Sequence, residues 1–153
     1  MNPNENQLPR SLDKLCIWQQ NLNTSKISQL ALMNSTSPSE WDILALQEPT
    51  INQLSNTTAN PHWRVVYPTQ KLIDGRKPRA VTFINTKIST NAWKQIDFPS
   101  TDVIITQTQT SQGLCTIINI YNDCKNDDTL EAMELFLADN IRTLRPSDND
   151  HLL

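Results

Sequence analysis

Short apolar runs that end on polar residues punctuate this chain. Ile17-Trp18-Gln19-Gln20-Asn21, Ile43-Leu44-Ala45-Leu46-Gln47-Glu48-Pro49 and Leu114-Cys115-Thr116-Ile117-Ile118-Asn119-Ile120-Tyr121-Asn122 each predict a buried strand that delivers an amide, carboxylate or hydroxyl to a sheet edge. Such tips suit function, because the strand fixes the backbone while the end stays open to ligand. Between the first two runs, Asn23 or Thr24 is placed to cap a helix with Ile27, Leu30, Ala31 and Asn34 at helical spacing, ended by Pro38. A polar stretch over 50–60 then leads into Trp63-Arg64-Val65-Val66-Tyr67. Ala80 to Asn85, Trp93 to Asp97, Val103 to Thr110 and Leu114 to Tyr121 predict an antiparallel meander whose last pair is a hairpin. A final helix begins at Asp127 or Asp128, with Glu131 backing the cap. It carries Leu130, Met133, Leu137, Ile141 and Leu144 in one stripe and stops at Pro146.

The order β-α-β, meander, helix predicts a mixed α/β or α+β sandwich in one domain. A chain of 153 residues can bury a sizeable core, roughly 70% of its extended surface. Residues 1–13 are polar and Asn-rich and read as a flexible lead-in without a secretory signal. No run approaches the roughly 20 apolar residues of a membrane span, so an intracellular location, nuclear or cytoplasmic, is expected. The net charge of -3 argues against a broadly basic nucleic-acid binder, although Lys71, Arg76, Lys77 and Arg79 gather in one loop.

Composition removes several chemistries. Gly75 and Gly113 are the only glycines, which excludes a Walker-type phosphate loop and a dinucleotide fingerprint. Cys16, Cys115 and Cys124 form no Cys-x-x-Cys pair, so neither zinc nor a disulfide framework is indicated. His62 and His151 do not end confident strands, which disfavours Ser-His-Asp and Cys-His catalysis.

Oxygen chemistry remains. Glu48 offers a hard anionic ligand and Asn21 a neutral carbonyl oxygen, and neighbouring strands would put both on one rim, half of a magnesium site. Tyr121 on a third strand could direct its hydroxyl at a phosphate oxygen. The same residues have plainer readings: an Asn that bonds a turn, a Glu that faces solvent, a half-buried Tyr with a wet hydroxyl. Spacing alone leaves both open.

Gln20-Asn21, Leu46-Gln47-Glu48-Pro49 and Asn119-Ile120-Tyr121-Asn122 resemble, in order and spacing, motifs of the endonuclease/exonuclease/phosphatase superfamily. More narrowly, residues 17–23, 42–49 and 60–67 resemble the endonuclease domain of fungal non-LTR retrotransposons. The resemblance covers residues 14–153. It implies a four-layered α/β sandwich and a magnesium- or manganese-dependent phosphodiesterase that nicks DNA. It implies Glu48 and Asn21 as metal ligands, Tyr121 and Asn21 as catalytic groups, and Tyr121 and Asn122 as contacts to phosphate or DNA. Asn23 stands where many relatives carry an acidic residue.

The family continues to a Gly-Asp-x-Asn motif and a Ser-Asp-His motif, which supply the water-orienting Asp, the phosphate-binding Asn, a further metal ligand and the catalytic His. Neither occurs here. Ser147-Asp148-Asn149-Asp150-His151 imitates the second but follows the helix that precedes the Gly-Asp-x-Asn strand, into which His151-Leu152-Leu153 would lead. The expectation is therefore the amino-terminal part of such a domain, truncated before that strand. It would hold mainly the first sheet with two flanking helices, bind metal weakly and be inactive alone. The exposed sheet would favour self-association, and the alternative is a non-catalytic remnant or interaction module that uses that sheet.

Overall fold

A computed structural model describes residues 13–71 and 75–153; most of the expected lead-in lies outside the described residues. Its strands are β1 (Ile17–Asn21), β2 (Ile43–Gln47), β3 (Trp63–Val66), β4 (Ala80–Asn85), β5 (Trp93–Ile96), β6 (Val103–Thr110), β7 (Gly113–Ile120) and β8 (His151–Leu152). The helices are α1 (Lys26–Ser35) and α2 (Asp128–Leu144). They build two four-stranded mixed sheets, ordered β1-β2-β4-β3 and β5-β6-β7-β8. In the first, β1 runs parallel to β2 and β4 antiparallel to both its neighbours; in the second, β5, β6 and β7 form an antiparallel meander and β8 runs parallel to β7.

Strand alternation divides each run between two cores. Leu44, Leu46, Val81 and Phe83 point outward from the first sheet and pack with Leu32 and Met33 of α1. Val103 and Ile105 point outward from the second and pack with Met133, Phe136 and Leu144 of α2. Ile84, Ala80 and Val66 meet Ile104 across the interior, and Ile43 meets Cys115 and Ile117. The layers therefore run helix, sheet, sheet, helix.

This is the expected sandwich, but with a larger share of it. The chain supplies four strands of each sheet, not mainly the first, and β4 belongs to the first sheet, not to the meander. The two inner faces cover each other, so the exposed sheet face on which self-association or an interaction module would rest is filled by β6 and β7. The reason lies in the buried polar residues of β6 and β7, Thr106, Thr108 and Asn119, which make these strands look less core-like than they are.

The helices also differ in detail. Ser25, not Asn23 or Thr24, caps α1, its hydroxyl accepting from Ser28 N at 3.1 Å. Ile27 is 82% exposed, while Gln29 and Leu32 are buried. Gln29 can be buried because its amide is satisfied. Nε2 donates to Thr57 Oγ1 (2.6 Å) and Thr58 O (3.0 Å), and Oε1 accepts from Thr50 N (2.8 Å), which straps the 50–58 loop onto α1. On α2 the packed face centres on Met133, Phe136 and Leu144, with Phe136 edge-on to Phe98 at 5.2 Å, and leaves Leu130 and Ile141 partly exposed. Gly113 closes the β6–β7 hairpin at φ +127°, where a Cβ would come within 2.7 Å of Asn149 O.

Candidate active site

The parallel pairing of β1 with β2 sets Asn21 opposite Gln47, so Asn21 and Glu48 stand at adjacent tips on one rim. Leu22 N and Thr24 N donate to Gln47 O (2.9 Å) and Glu48 O (2.8 Å), tying the two tips together. Asn23, Thr24 and Glu48 all have left-handed backbones, with φ of 50°, 55° and 49°. Each such non-glycine conformation is strained and needs surrounding bonds to hold it. Asn21 Oδ1 accepts from Asn23 N at 2.8 Å, which stabilises that turn and leaves the oxygen a second lone pair for a ligand.

Tyr121 reaches the same rim from the other sheet. Its ring lies 4.7 Å from the guanidinium carbon of Arg79, whose backbone carbonyl accepts from Glu48 N, and the neighbouring Glu48 carboxylate is the chief reason its pKa is raised. Asn122 follows at the exposed end. What aligns the two sheets there is a chain of amides that runs inward from the exposed Gln19 to the buried Gln47 and Asn119. Gln19 Nε2 donates to Gln47 Oε1, and Gln47 Nε2 donates to Asn119 Oδ1 at 2.5 Å. Asn119 Nδ2 in turn donates to Val81 O (2.9 Å), with Thr82 Oγ1 and Leu46 O slightly farther. Gln47 precedes Glu48 and Asn119 lies two residues before Tyr121, so this lock registers the carboxylate against the phenol.

Arg79 lies beneath both. Its guanidinium grips Asp102 through Nε (2.8 Å) and Nη2 (2.6 Å), reaches Asp123 through Nη1 (2.8 Å), and lies 4.7 Å from the Tyr121 ring centre. The Asp102 hydrogen bonds are the main cause of its raised pKa, and Arg79 in turn holds Asp123 below the usual carboxylate range. A cavity of about 270 Å³ beside Glu48 is lined by Pro49, Ile51 and Pro78 together with Thr24, Thr50, Lys77 and Arg79. A second, of about 420 Å³, is lined by Arg76, Lys77, Arg79, Asp123 and Asn126. The basic loop is thereby sorted: Lys71 packs on the Tyr67 ring at 3.9 Å and Arg79 is held by two carboxylates, whereas Arg76 and Lys77 line open cavities.

Glu48 and Asn21 are hard oxygen donors, which fit a magnesium ion that keeps most of its waters. Among the described residues no three acidic, His or Cys side chains gather into a group that could hold a metal ion. Neither histidine joins the site. His62 adjoins the Asn85 end of β4, whereas Glu48 N bonds Arg79 O at the Ala80 end, and His151 pairs with Cys115, far along β7 from Tyr121. Asp150 of the imitating motif is structural: its carboxylate accepts from Leu114 N (2.7 Å), Ser147 N (2.8 Å) and Ser147 Oγ (2.9 Å).

The structure brings Asn21, Glu48, Tyr121 and Asn122 to one rim, and it adds Gln47, Asn119 and Asp102, which the sequence did not single out, together with Arg79, which the sequence offered only as one of a basic loop. Polar residues at inward positions of otherwise apolar strands were the available signal for Gln47 and Asn119.

No family model matches the sequence, and no curated protein matches it. Among solved structures, the endonuclease domain of TRAS1, a telomere-specific non-LTR retrotransposon, aligns over 91% of this chain with a TM-score of 0.61 and 15% identity. The matched region spans 57% of that domain's length. The chain thus shares the α/β fold of a retrotransposon endonuclease domain.

Proposed function

We propose that this chain is the amino-terminal part of a divalent-metal-dependent DNA endonuclease domain, carrying the metal- and phosphate-facing half of its active site. The observation that carries the reading is that Asn21 and Glu48 at the tips of one sheet and Tyr121 at the tip of the other converge on one rim, with Arg79 bonded to Glu48 through its backbone and lying over the Tyr121 ring, and with Arg76 and Lys77 exposed beside them. The endonuclease-type fold and the motifs that resemble those of fungal non-LTR retrotransposons support it.

Glu48 would hold magnesium or manganese, with Asn21 as a supporting oxygen. When bound, the ion would supply Lewis-acid stabilisation of charge on a phosphate oxygen. Tyr121 would donate its hydroxyl to a phosphate oxygen, and Asn122 would contact the same backbone. Arg76 and Lys77, exposed beside the site, offer the charge that a DNA strand needs in a protein whose net charge is -3. A reducing intracellular compartment, nuclear or cytoplasmic, fits Cys16, Cys115 and Cys124, all free thiols. No described helix is long and apolar enough to cross a membrane.

Hydrolysis also needs a general base and a group to orient water, and such groups fail together when some are missing. Both histidines lie away from the rim, so this chain alone should bind without cutting. Purified residues 1–153 should show no magnesium-dependent nicking of supercoiled plasmid above a Glu48→Gln control. Robust nicking that Glu48→Gln abolishes would show that the half-site reading is wrong and that a base has been overlooked.

A further inference from the structure

Arg79 borders the cavity beside Glu48 and would ordinarily be read as a phosphate-binding cation. Its geometry argues otherwise. Three guanidinium N–H groups are already spent on Asp102 and Asp123, so one positive charge faces two carboxylates. An incoming phosphate would meet a neutralised, net acidic triad. The guanidinium carbon instead lies over the Tyr121 ring, 4.7 Å from its centre, within the distance at which a cation and an aromatic ring attract.

We propose that Arg79 is a positioning residue that locks the Tyr121 ring in one arrangement beside Glu48. The inference rests on the proposed site for its consequence, but not for its geometry. The backbone reinforces the same unit: Glu48 N donates to Arg79 O (2.8 Å), Tyr121 N donates to Asp102 O (2.8 Å), and Arg79 N donates to Thr101 O (3.1 Å). Asp102, 3% exposed, therefore holds Arg79 with its carboxylate and Tyr121 with its carbonyl. A planar fork is needed because one group must grip two carboxylates and present a face to a ring. A lysine ammonium, a point charge on a flexible stem, does neither well.

The test is a cycle of Arg79→Lys and Tyr121→Phe in the full chain, read by Tyr ring relaxation in NMR and by manganese-induced broadening at Glu48. The chain has two tyrosines, so Tyr67, which has its own cation in Lys71, serves as the internal control. Arg79→Lys should mobilise the Tyr121 ring and leave Tyr67 unchanged. It should weaken manganese at Glu48 about tenfold, the low end for loss of a residue that orients a metal ligand. Tyr121→Phe should weaken it similarly, and the double variant should be no weaker than either single one, as for residues acting in series. An immobile Tyr121 ring in Arg79→Lys, or effects that add in the double variant, would overturn the proposal. If the unsubstituted protein shows no manganese effect at Glu48, the metal site fails, and the contrast between the two tyrosine rings still decides the role of Arg79. Should Arg79→Lys not fold, Asp123→Ala removes one arm of the fork from a loop. It should mobilise Tyr121 in the same sense to a smaller extent, and an unchanged ring would again overturn the proposal.

Discussion

Replacing Asn119 by Leu tests how the two sheets are held in register. Asn119 is 3% exposed and lies between the sheets, where it accepts from Gln47 Nε2 and donates to Val81 O. Leucine keeps much of the volume but offers no polar atom. The Gln47 amide would lose its acceptor in the interior, at a cost of about 1–3 kcal/mol for an unsatisfied buried group. The carbonyls of Leu46 and Val81 belong to strands of the first sheet and retain ladder positions, so their loss is smaller. Coupling along the Gln19–Gln47–Asn119 chain raises the whole effect to roughly 2–4 kcal/mol, a large share of the ~5–15 kcal/mol of a typical domain. With a urea slope of about 2 kcal/mol/M, the unfolding midpoint should fall by on the order of 1–2 M. Tyr121 resonances should shift as well, because its strand loses its tie to the Glu48 strand. A midpoint within about 0.3 M of the unsubstituted protein would refute the amide lock as the element that registers the sheets.

Other expectations follow from the same contacts. Arg76→Ser and Lys77→Ser should weaken duplex DNA binding uniformly across sequences and each lower the salt slope by about one, measured by fluorescence anisotropy over a salt series. An unchanged slope would remove both from the DNA path. Asp150 has its pKa lowered, first by the Leu114 N hydrogen bond, so its folded value lies below the unfolded value of about 3.9. Its contribution to stability is then fully present above that value and lost as pH falls through the folded one. The stability gap between the unsubstituted protein and Asp150→Asn should be widest above about pH 5 and narrow on acidification, and a gap constant with pH would count against that role.

Much of this architecture was legible because short apolar runs that stop at polar residues have the length of strands and not of helices, as β2 and β4, buried on both faces, show. Asn21, Glu48 and Tyr121 were legible for the related reason that a polar residue ending such a run must emerge at the rim. The packing of the helices was not. Gln29 looks like a surface residue and is buried only because Thr50, Thr57 and Thr58 lie far along the chain and satisfy its amide. The share of the second sheet was also obscured, since Thr106, Thr108 and Asn119 occupy inward positions where apolar residues were expected. Arg79 could not be separated from Arg76 and Lys77 by sequence, because what distinguishes them is the tertiary approach of Asp102 and Asp123.

The claim that one carboxylate and its neighbours form the metal- and phosphate-facing half of an active site is most directly tested by manganese titration of the isotope-labelled protein and its Glu48→Gln variant. In the unsubstituted protein, broadening should centre on Glu48, Asn21 and Tyr121 and saturate at weak affinity, and Glu48→Gln should abolish it there. Broadening centred instead on the acidic residues at the start of α2, or persisting unchanged around Tyr121 in Glu48→Gln, would contradict the assignment.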